Sequence, residues 1–456
     1  MADARAAVDD PTLEEEIRSI GGALAAAFPS AARHPLKALD ARALDLAAHD
    51  DELRAALFRF VDVAPACRSL DDLAGHLTGF LEEVDDKPPP LAAAMRMGDT
   101  AAGRRALGAA AAAGVRHMAH RFIVGETPHA ARHLVRRLWH QGVATSVDLL
   151  GEATVTAAEA DRYAERCADA LDRLAAMHAD LPPRPHLERD RHGPIPRANL
   201  SVKVSALTPL LRPDAPQRGM RDAGPRLRAL LRHARRVGAH LHIDMESLDS
   251  REAITDLVLE LLAEDEFRDG PSAGVVLQAY LRDSPQLAER FVAWTDATPR
   301  AAPLVVRLVK GAYWDHEIVE ARQHGWPTPV FDVKADCDRN FEALTVRLLE
   351  AARDGAPVRP AIASHNLRSV SHAIAVNRRL GADDRDLELQ VLRGLGDDLQ
   401  DALAAGGLRV RTYCPVGDLV AGMAYLVRRL LENTSNESFL HEQARGIALD
   451  DLLRAP

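Results

Sequence analysis

Read for hydrophobic and polar positions alone, the chain falls into two patterns. Up to about residue 120, apolar residues recur at helical spacing, as in "DELRAALFRFVDV" and "LDDLAGHLTGFLEEV", with a break at "DDKPPP" (Asp85 to Pro90). This spacing predicts an all-helical segment. The alanine run Ala109 to Ala113 lies inside it and reads as helix on propensity rather than as linker.

From about residue 144 the pattern changes to short β-branched runs separated by amphipathic helices. The runs are "TSVDLL" (145–150), "NLSVKVS" (199–205), "HLHIDM" (240–245), "GVVLQAY" (274–280), "LVVRLVKGAY" (304–313), "PAIASHN" (360–366), "LELQVLRG" (387–394) and "RVRTYCPVG" (409–417). Helical segments such as "GPRLRALLRHARRVGA" lie between them, and "LVAGMAYLVRRLLEN" follows the last. Eight strand–helix units in series predict a (β/α)8 barrel with its chemistry at the carboxyl ends of the strands. The proline- and charge-rich "PPRPHLERDRHGPIPRA" (182–198) reads as a solvated connector into the second strand.

Composition narrows the function classes. Of 456 residues, 47% are hydrophobic and 27% charged, with a formal net charge of -10 that repels nucleic-acid phosphate, so no nucleic-acid partner is expected. The four cysteines form no CxxC pair, which argues against a disulfide framework or a zinc site and fits a reducing cytoplasm. The start lacks a basic and then apolar leader, and no apolar run reaches about 18 residues, so neither secretion nor membrane spanning is expected. Neither GxGxxG nor GxxxxGK occurs, which removes the main support for dinucleotide-binding and P-loop folds.

Only five lysines occur (Lys37, Lys87, Lys203, Lys310, Lys334), while arginine is used everywhere else, so a retained lysine marks a place where a compact ammonium matters. For Lys37 and Lys87 chance usage is explanation enough. Glu152, Lys203, Asp244, Gln278, Lys310, His365 with Asn366, Arg393 and Tyr413 all fall at or near the end of an apolar run. A barrel-lumen lysine at 203 without a partner would cost several kcal/mol, on the order of an unpaired buried charge, so it needs an anion, a Schiff-base role or a route to water. Alternation sets Arg307 and Val309 on one face of the fifth run and Leu308 and Lys310 on the other, and spacing does not say which faces inward.

Two further constellations each carry alternatives. "HLHID" sets His240, His242 and Asp244 on one strand face, as at the start of a metal-dependent amidohydrolase site, with His365 available as a further ligand. Against this, "TYCP" stands where a metal-binding aspartate is expected, and histidines packed in a strand are the other reading. On the last helix Tyr425, Arg428 or Arg429, and Glu432 share a stripe. That stripe is either an exposed pair worth about a few tenths of a kcal/mol or an arginine clamp on a carboxylate. Cys414 has no identifiable base.

The motifs "DLLGEATVTAAEADRY", "VKVSAL", "VRLVKGAYWD", "ASHN", "YCPVGDL" and "AYLVRRLLENTSNESF", in this order, resemble the proline dehydrogenase family, best the flavoenzyme domain of the bifunctional proline-utilisation A proteins. The resemblance covers roughly residues 120 to 440 and implies a distorted (β/α)8 barrel (121–440) after the helical segment (1–120), with a tail at 441–456. It implies noncovalent FAD, oxidation of L-proline to Δ1-pyrroline-5-carboxylate, and membrane quinone as acceptor. A cytoplasmic protein touching the inner face of the membrane follows from that acceptor.

By the same resemblance Lys203, Arg428 and Arg429 hold the substrate carboxylate, and Glu152 pairs with an arginine when the site is empty. Tyr413 and Tyr425 line the proline ring, Asp244 forms the pocket floor, and Leu308 packs nearby. Tyrosine at 413 would favour proline over hydroxyproline. Gln278, Arg307, Val309, Lys310, Gly311, Ala312, Trp314, His365 and Asn366 contact the flavin, with Arg307 near N5 and Glu432 at the edge of the site. Two departures stand out: Asp332 in "FDVKADC" replaces an expected threonine, and no aldehyde dehydrogenase module follows before Pro456. The next oxidation is therefore expected from a separate pyrroline-5-carboxylate dehydrogenase. A metal-dependent hydrolase on the same barrel is the rival enzyme reading, and a helical partner-binding module on a degenerate barrel the non-enzymatic one.

Overall fold

In the computed structural model, which describes residues 11–28, 50–85, 87, 89–97, 99–151, 154–418, 422 and 447–456, eight parallel strands close on themselves. They are β1 (Val143–Leu149), β2 (Asn199–Lys203), β3 (His240–Asp244), β4 (Ser272–Gln278), β5 (Leu304–Val309), β6 (Val358–Ala363), β7 (Glu388–Leu392) and β8 (Arg409–Val416). Each pairs with its neighbours in sequence, and β1 closes the circle by pairing with β8. The eight predicted runs are these strands, but they overshoot at the carboxyl ends. Residues 310–313 and 364–366 leave the sheet, because Gly311 turns the chain at φ +137° after β5 and Asn366 caps the helix that follows β6.

Before the barrel come α1 (Pro11–Ala26), α2 (Asp51–Val63), α3 (Leu70–Glu82), α4 (Pro89–Met97), α5 (Ala101–Phe122) and α6 (Pro128–His140). Asp50, Ser69, Thr100 and Thr127 cap α2, α3, α5 and α6 through their side-chain oxygens, and "DDKPPP" separates α3 from α4 as its prolines require. The alanine run lies within α5. Leu53, Phe60, Leu73, Leu77, Leu81 and Val115 form a separate small core for this helical segment. One contact with the barrel is made where α5 ends: Phe122 and Ile123, with Phe58 and Val61 of α2 against them, pack with Leu150, Leu395 and the ring of Tyr413, and Arg121 Nε donates to Gly394 O at 3.0 Å. The end of α5 thus forms part of the wall around the barrel mouth.

Within the barrel follow α7 (Ala157–Ala179), α8 (Pro216–Val237), α9 (Leu248–Leu262), α10 (Ser284–Ala297), α11 (Trp314–His324), α12 (Lys334–Arg353), α13 (Leu367–Arg379) and α14 (Asp397–Ala405). Their apolar faces and the outward residues of the strands make the main core. α1 returns to this layer and lies on α13, where buried Arg368 donates to Glu14 of α1, to Glu342 of α12 and, at 2.9 Å, to Leu453 O.

The lumen itself is polar. Asn199 and Ser201 of β2, His240 and His242 of β3, Arg307 of β5, Glu388 and Gln390 of β7, and Arg411 of β8 are all buried. At the amino end, residues 189–194 form a two-stranded ribbon that brings in Asp190, whose carboxylate takes two bonds from Arg359 (2.6 and 2.8 Å) and one from Arg409 (2.9 Å). This corrects the expectation of a solvated connector over 182–198. Leu187, Ile195 and the Asp190 side chain are buried there, because two guanidiniums at the strand starts require an acid.

Asp190→Ala should therefore lower stability by about 3–5 kcal/mol, the cost of stranding buried cations, read as a lower urea midpoint. Burial pushes the Asp190 carboxyl up, but the Arg359 bonds and the Arg409 charge outweigh it and hold it below the usual aspartate value. Glu388 is likewise lowered, the charge and bonds of Arg411 overcoming burial. Folded values below unfolded ones mean that this stability is present above about pH 4 and is lost as pH falls further. The urea midpoint should drop between about pH 5 and 3, and less steeply in Asp190→Ala than in the wild type.

Candidate active site

At the carboxyl end of the lumen, charges from four strands meet: Asp148 of β1, Lys203 of β2, Asp244 of β3 and Arg307 of β5. Arg307 donates from Nη1 to Asp244 Oδ1 at 2.5 Å and from Nε to Gln390 Oε1 at 2.7 Å, and Nη2 lies 3.3 Å from Ser201 Oγ. Its Cζ is 5.4 Å from the centroid of the Tyr413 ring. These contacts decide the question left open by alternation: Arg307 faces inward. Leu308 is fully buried, and alternation turns it to the layer between barrel and helices rather than to the lumen. Lys310 lies one residue beyond the end of β5, so the alternation no longer governs it. Its ammonium bonds Asp338 Oδ1 of α12, and Lys334 takes the other oxygen at 2.7 Å. Burial pushes the Asp338 carboxyl up, but the two ammonium charges win and hold it below its ordinary value.

Lys203 is 7% exposed and finds its anion in Asp148 of β1, Nζ to Oδ1 at 2.7 Å, with Asp244 Oδ2 at 4.0 Å. Burial disfavours this ammonium, but the charges of Asp148 and then Asp244 outweigh it and keep Lys203 protonated more firmly than a free lysine. The Tyr413 hydroxyl donates to Asp244 Oδ2 at 2.6 Å. Burial, reinforced by Asp148 and Asp244, raises its ionisation well above the tyrosine norm, so it remains a donor.

Lys203, Arg307 and Tyr413 are thus brought together around Asp244, and two residues absent from the expected set, Asp148 and Gln390, bind Lys203 and Arg307 respectively. Asp148 was within reach of the same argument applied to Lys203: an acid alone in the run "TSVDLL" needs a cation. Asp338 carried a weaker signal, four residues after Lys334 on one helix. Glu152, Tyr425, Arg428, Arg429 and Glu432 lie outside the described residues.

The expected cofactor contacts surround the ends of β4, β5 and β6. Gln278 donates to Glu246 O at 3.0 Å, while its buried Oε1 has no partner among the described residues. Val309 is half-buried, and Gly311, Ala312 and Trp314 are exposed, with the Trp314 indole donating to Phe331 O at 2.9 Å. Gly311 has φ of +137°, and a Cβ there would lie 2.3 Å from the Tyr280 ring, so only glycine fits this turn. His365 Nε2 accepts from Leu392 N at 2.9 Å, and the Asn366 side chain caps α13 through Ser369 N. Asp332 forms an ion pair with Arg282 at 2.5 Å.

The histidine pair of "HLHID" is committed elsewhere. His240 bonds Ser272 Oγ at 2.8 Å through Nδ1 and meets His242 Nδ1 at 3.2 Å through Nε2. Burial, then the nearby charge of Arg411 or Arg307 respectively, lowers both rings well below the histidine norm and keeps them neutral. Both Asp244 oxygens serve Arg307 and Tyr413, so the expected ligand set of a hydrolase does not assemble. Among the described residues, the group of three with ligand atoms mutually within 4.8 Å is Cys67, Asp72 and His76, in the helical segment. Burial pushes the Cys414 thiol up to about 12, which leaves it inert.

Comparison with known proteins accords with this geometry. The family profile described as "Proline dehydrogenase" matches residues 131–442, and "Proline utilization A N-terminal domain" matches residues 14–122. The bifunctional protein PutA of Salmonella typhimurium is 33% identical over 353 residues, 75% of this chain and 25% of that protein. Proline dehydrogenase of Deinococcus radiodurans is 28% identical over 324 residues, covering 71% of this chain and 89% of its own length. The crystal structure of proline utilization A from Bdellovibrio bacteriovorus, inactivated by N-propargylglycine, superposes with a TM-score of 0.87 at 32% identity, over 97% of this chain and 44% of that one. The chain spans about a quarter of the length of the bifunctional relatives it matches. It belongs to the proline dehydrogenase family.

Proposed function

We propose that the chain is an FAD-dependent proline dehydrogenase, oxidising L-proline to Δ1-pyrroline-5-carboxylate as the first step of proline catabolism toward glutamate. The observation that carries this reading is the buried ammonium of Lys203 beside Asp244, Arg307 and Tyr413, at the mouth of a barrel that belongs to this family. An anionic, ring-sized substrate suits such a place, since charge pairs strengthen as water is excluded.

The residues at the mouth fit a flavin nucleotide. Gln278 Oε1 is a buried acceptor without a donor among the described residues, the Gly311 turn admits no side chain, and the Lys310 and Lys334 ammoniums meet at Asp338 beside it, where a diphosphate would find cations. Gln278, Arg307, Val309, Lys310, Gly311, Ala312, Trp314, His365 and Asn366 would hold FAD, with Glu432 at the edge of the site. When bound, FAD supplies the acceptor for the hydride that leaves the ring carbon next to nitrogen. The protein's own part is positioning. Lys203, with Arg428 and Arg429, fixes the carboxylate; Tyr413 and Tyr425 confine the ring; Asp244 supports the pocket floor; and Glu152 pairs with an arginine in the empty site.

Membrane quinone is the proposed electron acceptor, reached by peripheral contact at the inner face of the membrane. Among the described residues no helix is long and apolar enough to cross a membrane. A pyrroline-5-carboxylate dehydrogenase would consume the product.

The test is a visible spectrum of FAD-supplemented protein before and after anaerobic L-proline. Flavin bands that bleach are expected; absence of bands after supplementation would sink the reading. Tyr413→Phe removes one hydrogen bond to the Asp244 carboxylate and should lower kcat/KM for L-proline by about tenfold to a hundredfold, with flavin content unchanged, as measured by stopped-flow absorbance.

A further inference from the structure

Asp148 is the charge at the mouth to which the proposed function gives no task. It sits on β1 opposite Ser201 of β2 and is 1% exposed. One oxygen takes the Lys203 ammonium, while Oδ2 is buried with no hydrogen-bond partner among the described residues. Leaving such an oxygen unsatisfied costs about 1–3 kcal/mol, more for a charged group, so it is a ready acceptor for a donor that enters the site.

An α-amino acid donates in the right way. Its ammonium and carboxylate hang on one carbon, and the Lys203–Asp148 pair presents the two complementary charges side by side. We propose that this pair reads the substrate as a zwitterion, Lys203 binding the carboxylate while Asp148 Oδ2 accepts from the ring ammonium and takes its proton. The inference rests on the proline dehydrogenase reading and deepens it.

The balance is simple. The ring nitrogen arrives carrying two hydrogens and a positive charge, so it has no lone pair to give. Proton transfer to Asp148 breaks one N–H bond and leaves its electron pair on nitrogen. FAD, when bound, would take the hydride of the neighbouring carbon with its own pair, and the nitrogen lone pair would become the second carbon–nitrogen bond, giving the protonated imine, which gives up its remaining N–H proton to solvent after release. Asp148 loses the proton to solvent when product leaves.

The groups that face Asp148 are Lys203 from β2, Asp244 from β3, Tyr413 from β8 and, behind the strand, Tyr163 and Cys167 from α7. Arg307 of β5 acts on it through Asp244. Burial raises Tyr163 well above the tyrosine norm and Cys167 up to about 12, so both stay neutral, and the buried residues of α6 are apolar. Burial also lifts the Asp148 carboxyl above the usual aspartate value against the pull of Lys203, which makes it a better proton acceptor than a surface acid.

The test uses the FAD-loaded full chain, first confirmed to bleach with L-proline; a wild type that does not bleach refutes the function and not this assignment. Asp148→Asn should lower kcat/KM for L-proline near pH 7 by about 10²–10⁴-fold. The loss should shrink as pH rises toward the ionisation of the substrate amine, because the variant accepts only the neutral amine. Calorimetric binding of cyclopentanecarboxylate, which lacks the nitrogen, should be at least as tight as in the wild type. An unchanged pH profile, or equal weakening of both ligands, would overturn the proposal and leave Asp148 as a mere support for Lys203. Should the variant not fold, the wild type decides: binding of cyclopentanecarboxylate must tighten as pH falls through the Asp148 titration while that of L-proline weakens, and parallel trends would overturn the assignment.

Discussion

The burial of the charged side chains in the barrel lumen dictates most of what lies around it. A guanidinium as buried as that of Arg307, 5% exposed, would cost several kcal/mol if it stood unpaired, on the order of the penalty for any desolvated ion. Asp244, Gln390 and Ser201 answer it. Gln390 in turn donates to Glu388, Glu388 holds Arg411, and Arg409, 3.8 Å from Glu388, binds Asp190. Polar residues scattered over five strands and a ribbon are thus one connected requirement, running from the closed amino end of the barrel to Tyr413 and Lys203 at its mouth.

Space for this network comes from what is small. Ala361 of β6 lies level with Arg307, and a Cβ on Gly274 would come within 2.4 Å of His242 Nδ1. The charges are consequently fixed before any ligand arrives. A preoriented site loses little to reorganisation when an anion enters, which is the condition for electrostatic stabilisation to act fully. The helical segment shares in this, since Phe122 and Ile123 press on the wall to which the Tyr413 ring belongs.

Much of the fold was legible because period-two and helical spacing are local properties, and eight alternations admit few architectures. Polarity in the lumen was harder to read. Lys203 announced its need for an anion, yet its partner lies 55 residues away on another strand, a distance over which spacing carries no information. The same limit hid Asp190, whose charged, proline-rich surroundings resemble a surface loop until Arg359 and Arg409 converge on it. Lys310 misled for a different reason: alternation was extended one residue past the point where β5 ends. The histidines of β3 matched a metal motif by residue type, and only the placement of Ser272 and Arg307 separates packing from ligation. The stripe of Tyr425, Arg428, Arg429 and Glu432 lies outside the described residues, and its role rests on resemblance alone.

The ribbon that supplies Asp190 also bears on how such a barrel is assembled. Its partners are 169 and 219 positions away, and Arg411 reaches Thr145 O across 266. Contacts this distant form late, after the intervening loops have been closed. Until β8 arrives beside β1, Arg409 and Arg411 have not reached Asp190, Glu388 and Thr145 O and keep their water. A half-built barrel of this kind is wet inside, and a wet interior offers other chains less bare apolar surface than an oily one would during the slow stage when large α/β chains are most prone to aggregate.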